Sequence, residues 1–198
     1  MKLKPAKTAL NDKIISELYR LLSVPMIDFD CGSLCAPQNG GVPECCDMDI
    51  TVPVLYLDEY RWQQNKGSYW KPMPVETDED FELADGIDEE CCVLAVCPGP
   101  ASCLRKRRAF VCRTFPFDPY LDKSGAVKGL VFQYKMSDRC PLVGRPRKIF
   151  NDLYIRNSIM FWEKIFECLP EEKELYRKES IKLRRSFGAR RKKIKIFN

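Results

Sequence analysis

Apolar residues recur at helical spacing in two stretches of the chain. Between Asn11 and Leu22 they fall at Ile14, Ile15, Leu18, Leu21 and Leu22, with Asn11 placed to cap the first turn and Pro25 just past the end. After Pro146, residues such as Phe150, Leu153, Tyr154, Phe161, Trp162 and Ile165 outline a longer amphipathic helix reaching about Leu169. Pro170 then opens another, from Glu171 to about Arg185, because proline and acidic residues favour a first helical turn.

The middle of the chain reads differently. Residues 29–49 have neither helical nor strand periodicity, are rich in Cys, Gly, Pro and Asn, and turn at Asn39-Gly40-Gly41. Ile50 to Tyr56 has strand composition, but Pro53 cannot donate to a ladder and restricts it to a sheet edge or a short extended piece. A short helix from Leu57 to about Asn65 follows. Residues 71–90 carry nine acidic side chains and read as an exposed loop. Gly125 and Gly129 lead through Leu130-Val131-Phe132 into a short strand, closed by Cys140-Pro141.

These elements predict an α+β protein, an irregular cysteine-rich body with an N-terminal helix and two C-terminal helices. The expected division is an N-terminal helix in 1–26, a cysteine-cluster domain in 27–145, a helical pair in 146–185 and a basic tail in 186–198. A chain of 198 residues buries roughly 70% of its unfolded surface, enough for a core without disulfide staples.

Eleven cysteines and no histidine narrow the chemistry. The missing imidazole excludes Ser-His-Asp and Cys-His nucleophiles and zinc sites with His ligands. Asn11, Asp12, Lys13 and Glu17 interrupt the apolar run that a secretory signal would need. The expected compartment is therefore the reducing cytoplasm, where clustered cysteines serve as metal ligands or reactive thiols more often than as bridges. Thiolates suit zinc or an iron-sulfur cluster. Four cysteines fall as Cys31-x3-Cys35-x9-Cys45-Cys46, and Cys91, Cys92, Cys97, Cys103, Cys112 and Cys140 follow. No C-x2-C ferredoxin run or paired zinc-ribbon knuckle occurs, and a radical-type C-x3-C-x2-C is broken by the late third cysteine.

Phe29-Asp30-Cys31-Gly32-Ser33-Leu34-Cys35, then Cys45-Cys46, Cys91-Cys92-Val93-Leu94, and Arg108-Ala109-Phe110-Val111-Cys112-Arg113-Thr114-Phe115-Pro116-Phe117 together resemble the YkgJ-type cysteine-cluster family, a zinc- or iron-chelating domain with a CxxxCxxCC motif. The resemblance spans roughly residues 27–145. Ala109 stands where that pattern has proline, and nine residues separate Cys35 from Cys45 where the motif has two. The resemblance implies metal ligands at Cys31, Cys35, Cys45, Cys46, Cys91, Cys103, Cys112 and Cys140, with Cys92 and Cys97 as substitutes for Cys91 and Cys103. Eight thiols exceed one four-ligand centre, so two sites, or one site with further redox-active or buried thiols, both fit. Cys168 lies in a helix and reads as a core residue. The family's likeness to flagellin lysine N-methylases suggests an enzyme alternative, although no glycine-rich nucleotide cradle is present.

Arg108 and Arg113 flank Cys112, placed either to hydrogen-bond thiolate sulfur or to pair with carboxylates. Phe115-Pro116-Phe117 reads as a hydrophobic lid over the site. The segment Ile181 to Asn198 holds eight cations and no acid, so it alone makes the protein basic, at +5 overall. It reads as a solvated tail or one docked on the acidic stretch 76–90. Weak nucleic-acid contact is the further partner its charge admits, and a module with a structural metal and a working tail is the third functional alternative. No stretch has the length and apolarity of a membrane span.

Overall fold

The Asn11 carboxamide oxygen accepts a hydrogen bond from the Ile14 amide at 3.0 Å, and the helix it caps, α1, runs Asp12–Leu21, as the periodicity predicts. Ile15, Leu18 and Leu21 are its buried face. The computed structural model describes residues 9–67 and 69–198. The expected loop over 29–49 contains a short helix, α2 (Gly32–Cys35), and two 3-10 turns, Ala36–Gln38 and Glu44–Cys46. Between them the chain turns with positive φ at Gly40 and Gly41. The Asn39 side-chain amide ties that turn to the Val42 carbonyl at 3.1 Å and the Asp47 carboxylate at 2.9 Å.

The chain forms two compact units. One comprises residues through Ser16 and Cys35–Arg113, the other Glu17–Leu34 and Thr114–Asn198. In the first, strands β1 (Val54–Tyr56), β2 (Lys71–Pro72) and β3 (Cys92–Val96) make an antiparallel sheet with β3 central. Leu55 pairs with Val93. Pro53 immediately precedes the edge strand β1, where its missing N–H costs nothing, and its carbonyl accepts from the Ala95 amide at 2.9 Å.

Helix α3 (Leu57–Gln64) follows β1 directly. Leu55, Leu57, Tyr60, Trp70, Val93 and Ala95 form the core between sheet and helix. The Trp70 indole N–H is satisfied by the Arg107 carbonyl at 2.9 Å. At the N-terminal edge, the Asp58 carboxylate accepts from the Ala9 and Leu10 amides at 3.1 and 3.0 Å.

The acidic stretch departs from expectation, for it holds a helix, α4 (Asp78–Asp85). The Thr77 hydroxyl accepts from the Asp80 amide and the Asp80 carboxylate accepts from the Thr77 amide, which closes a capping box. Asp78, Glu79 and Asp80 fill the first turn, where the helix dipole favours negative charge. No residue of α4 is buried, so the stretch is exposed as predicted while its backbone is ordered by caps and charge.

Strands β4 (Phe117–Leu121) and β5 (Val127–Phe132) open the second unit as an antiparallel hairpin. Asp122 organises the turn. Its carboxylate accepts from the Ser124 hydroxyl and from the Ser124 and Ala126 amides, bonds that hold its pKa below the usual range. Helices α6 (Asp152–Cys168) and α7 (Pro170–Ala189) complete the unit, after the one-turn α5 (Phe110–Thr114) at the end of the first. The Asn151 side chain caps α6 through the Leu153 amide at 2.8 Å. The Asn157 side chain reaches the Leu21 carbonyl at 2.9 Å.

Two expectations fail in this second unit. Phe117 is no lid, for it is buried and stacks on Phe132 at 5.0 Å, with Phe150 edge-on at 5.0 Å. The basic tail is not solvated throughout. Helix α7 continues past Arg185 to Ala189, and the chain then returns so that Phe197 forms an antiparallel bridge with Leu130, 2.8 Å in both directions. Phe197 is 1% exposed and lies 4.8 to 4.9 Å from the Phe132 and Phe117 rings. Gly129 permits this approach, because a Cβ there would clash with the Phe197 carbonyl. Residues 117–132 belong to the same unit as the C-terminal helices, and the chain passes from the first unit to the second between Arg113 and Thr114. Among the described residues no helix is long and apolar enough to cross a membrane.

Candidate metal centre

All eleven cysteines are thiols, with no disulfide. Four of them share one electrostatic neighbourhood in the first unit: Cys46, Cys97, Cys103 and Cys112, around Arg108. They come from three segments. Cys46 ends the 3-10 turn Glu44–Cys46, whose last amide donates to the Pro43 carbonyl at 2.7 Å. Cys97 is the first residue beyond β3. Cys103 ends the turn Pro100–Ser102, reached through Gly99, whose φ of 85° suits only a residue without Cβ. Cys112 lies within α5.

The surrounding side chains fix these segments. Buried Glu59, 1% exposed in the first turn of α3, accepts from the Phe110 amide at 2.8 Å and so holds the start of α5. Tyr69 bridges the Cys103 loop, its hydroxyl donating to the Ser102 carbonyl at 3.2 Å and accepting from the Leu104 amide at 3.0 Å. Cys97 and Cys112 pack against the apolar core. Arg108 donates from Nε to the Cys103 sulfur at 3.2 Å. Arg113 instead donates to the Arg108 and Arg105 carbonyls, at 2.8 and 2.9 Å. Of the two roles that sequence leaves open, Arg108 takes the thiol partner and Arg113 braces the loop.

Electrostatics follow from burial. Desolvation pushes the Cys112 thiol up to about 12, and the neighbouring Cys97 and Cys46 add to the rise. Cys97 is raised by the same burial, against a hydrogen bond from the Gly99 amide. For Arg108, burial opposes the charge, while the Cys103 hydrogen bond and the sulfurs of Cys103, Cys46 and Cys112 raise its pKa. Arg108 thus sits among sulfurs that favour its charge, while burial favours the protonated forms of Cys97 and Cys112.

Among the described residues, no three Cys, Asp or Glu side chains converge on a single metal position. The four sulfurs occupy one neighbourhood without forming one coordination sphere. Their chemistry, four soft donors and a sulfur-bound guanidinium, fits a thiophilic metal.

Of the eight cysteines carried over from the family pattern, the neighbourhood includes Cys46, Cys103 and Cys112. Cys97, carried over only as a substitute, completes it. Cys91 immediately precedes β3 and Cys92 is its first residue, and the Cys91 carbonyl accepts from the Leu57 amide at 2.7 Å. Cys35 is buried at the end of α2 and Cys45 precedes Cys46. Cys31 and Cys140 belong to the second unit. Cys168, expected in a core, is only partly buried at the end of α6. The signal for Cys97 was Cys97-Pro98-Gly99, a strand exit with a turn that folds the chain back toward Cys103.

No protein-family profile, curated protein or solved structure matches the chain.

Proposed function

We propose that the protein binds a metal centre, an iron-sulfur cluster or zinc, through the thiolates of Cys46, Cys97, Cys103 and Cys112. The observation that carries this reading is the gathering of four thiols from three chain segments around one guanidinium, in a protein without histidine. Such a centre would draw the sulfurs inward and replace their protons, and the metal–thiolate bonds would add to the stability of loops that hold few apolar side chains. The chain's own residues have distinct tasks. Glu59 and Tyr69 hold the two loops that carry Cys112 and Cys103, and Arg108 compensates sulfur charge. The family resemblance supports the same chemistry with a partly different ligand set.

The test is metal analysis and visible absorbance on protein purified without oxygen. A stoichiometric metal, with absorbance near 400 nm if it is iron-sulfur, is expected. Protein that is folded, colourless and free of both metals would refute the reading.

A further inference from the structure

The thiol site leaves the cationic C-terminus without a role. After Glu179 the chain has no acid, and its cations divide into two kinds. Some are used internally. Lys182 pairs with Glu179 at 2.6 Å, Arg184 donates to the Leu121 carbonyl, and Lys195 donates to the Arg145 carbonyl. Arg190, Arg191, Lys192 and Lys193 are exposed, and among the described residues none has an acidic partner.

Their backbone is nonetheless well defined. The Lys192 amide donates to the Phe187 carbonyl at 2.9 Å and the Arg191 amide to the Gly188 carbonyl at 3.0 Å, the pair of bonds that ends a helix in a Schellman turn. Arg191 occupies the left-handed position of that turn, at φ 52°, and is the one non-glycine with positive φ among the described residues. Glycine is the residue that position prefers. Cations near a helix C-terminus do favour the dipole, which accounts for Arg190, but the effect fades beyond the last turn and does not reach Lys192 and Lys193. The Phe197 bridge to Leu130 then anchors the far end. Four unneutralised charges are thus held close together on a fixed turn, against their mutual repulsion and a backbone preference.

We propose that the turn Arg190–Lys193, with exposed Arg145 beside its anchoring Lys195, is a docking surface for the phosphate backbone of double-stranded nucleic acid. Charge complementarity identifies a polyanion. The aromatic groups of the segment point to a duplex rather than a membrane or a single strand. Phe197 is buried and Phe187 is packed at 5.0 Å from Tyr134, leaving no exposed ring to insert into a bilayer or to stack on unpaired bases. Binding is accordingly independent of sequence.

The experiment measures the affinity of the full chain for a fluorescent random-sequence DNA duplex between about 50 and 200 mM salt. About five phosphate contacts give a loss of several hundred-fold over that range. Arg191→Gly is expected to weaken binding and lower the salt slope by about one, while raising the thermal midpoint because glycine relieves the turn. Lys192→Gln with Lys193→Gln should lower the slope by about two, and metal content in both variants should match wild type. Affinities unchanged in both variants would overturn the proposal. So would a lower midpoint for Arg191→Gly, or tighter binding to phosphatidylserine vesicles than to the duplex.

Discussion

Arg108 is the residue on which the thiol neighbourhood turns, since its Nε meets Cys103 directly while its charge faces Cys46 and Cys112. Groups that orient metal ligands typically change affinity 10- to 100-fold when removed. Arg108→Ala should therefore weaken metal retention by about tenfold or more in a chelator competition, and Arg108→Lys should restore part of it by keeping the charge. Equal retention in all three proteins would contradict that role. Residue identity explains what sequence shows and hides here. The Arg108-to-Phe117 block put Cys112 among the candidate ligands, whereas the family pattern gave Cys91 as a ligand and Cys97 only as a substitute. Spacing cannot show that Cys91 precedes a strand and Cys97 leaves it toward the Cys103 loop.

A second residue governs pH dependence in the other unit. Burial raises Asp118 to about 6, opposed by a 2.8 Å hydrogen bond from the Gln133 side chain and by Lys135, and assisted by Glu179. The folded state therefore holds this proton to higher pH than the unfolded state does, so stability is greatest below about pH 4 for this group and falls as pH rises through 6. At about 1.4 kcal/mol per unit, the loss approaches 3 kcal/mol. Asp118→Asn, which keeps an acceptor for Gln133, should be more stable than wild type at pH 8 and nearly equal near pH 4 in urea unfolding. A wild-type advantage at pH 8 would reverse the sign of this account.

At the scale of elements, helix α4 and the C-terminal segment show opposite ways of being ordered. Helix α4 buries nothing and depends on its ends, so Thr77→Ala should cost about 1 kcal/mol locally. Faster hydrogen exchange at the Asp80 and Phe81 amides, with little change in the global melting temperature, is the expected signature. The box was legible as Thr77-x-x-Asp80, but the acidic run around it resembles a solvated loop, and capping decides between the two. The C-terminal segment is the converse case. Its cations concealed a single anchoring ring, and Phe197→Ala should cost about 3–5 kcal/mol through the cavity left among Phe117, Phe132 and Phe150. A loss below about 1 kcal/mol would mean that the tail contributes little to the fold. The three long helices were legible from periodicity and proline placement. The hairpin β4–β5 was half legible, because Pro116 and Pro119 disguise the first strand.

Across the whole molecule, charge and chemistry segregate together. The first unit holds the four gathered thiols and the acidic stretch, and the second holds the cationic turn and most of the aromatic packing. Periodicity and turn residues made the α+β character legible, and the missing histidine made an all-thiol donor set the expectation. The partition into units was hidden because it depends on which aromatic side chains share a core, a relation between segments far apart in the chain. The account stands on Cys97 as a member of the site, where it departs from the family pattern. The most direct test is metal stoichiometry in anaerobically purified wild type, Cys97→Ser and Cys91→Ser, with folding confirmed by circular dichroism. The account predicts metal in wild type and Cys91→Ser and its loss in Cys97→Ser. Metal retained by Cys97→Ser and lost from Cys91→Ser, or absent from folded wild type, would contradict it.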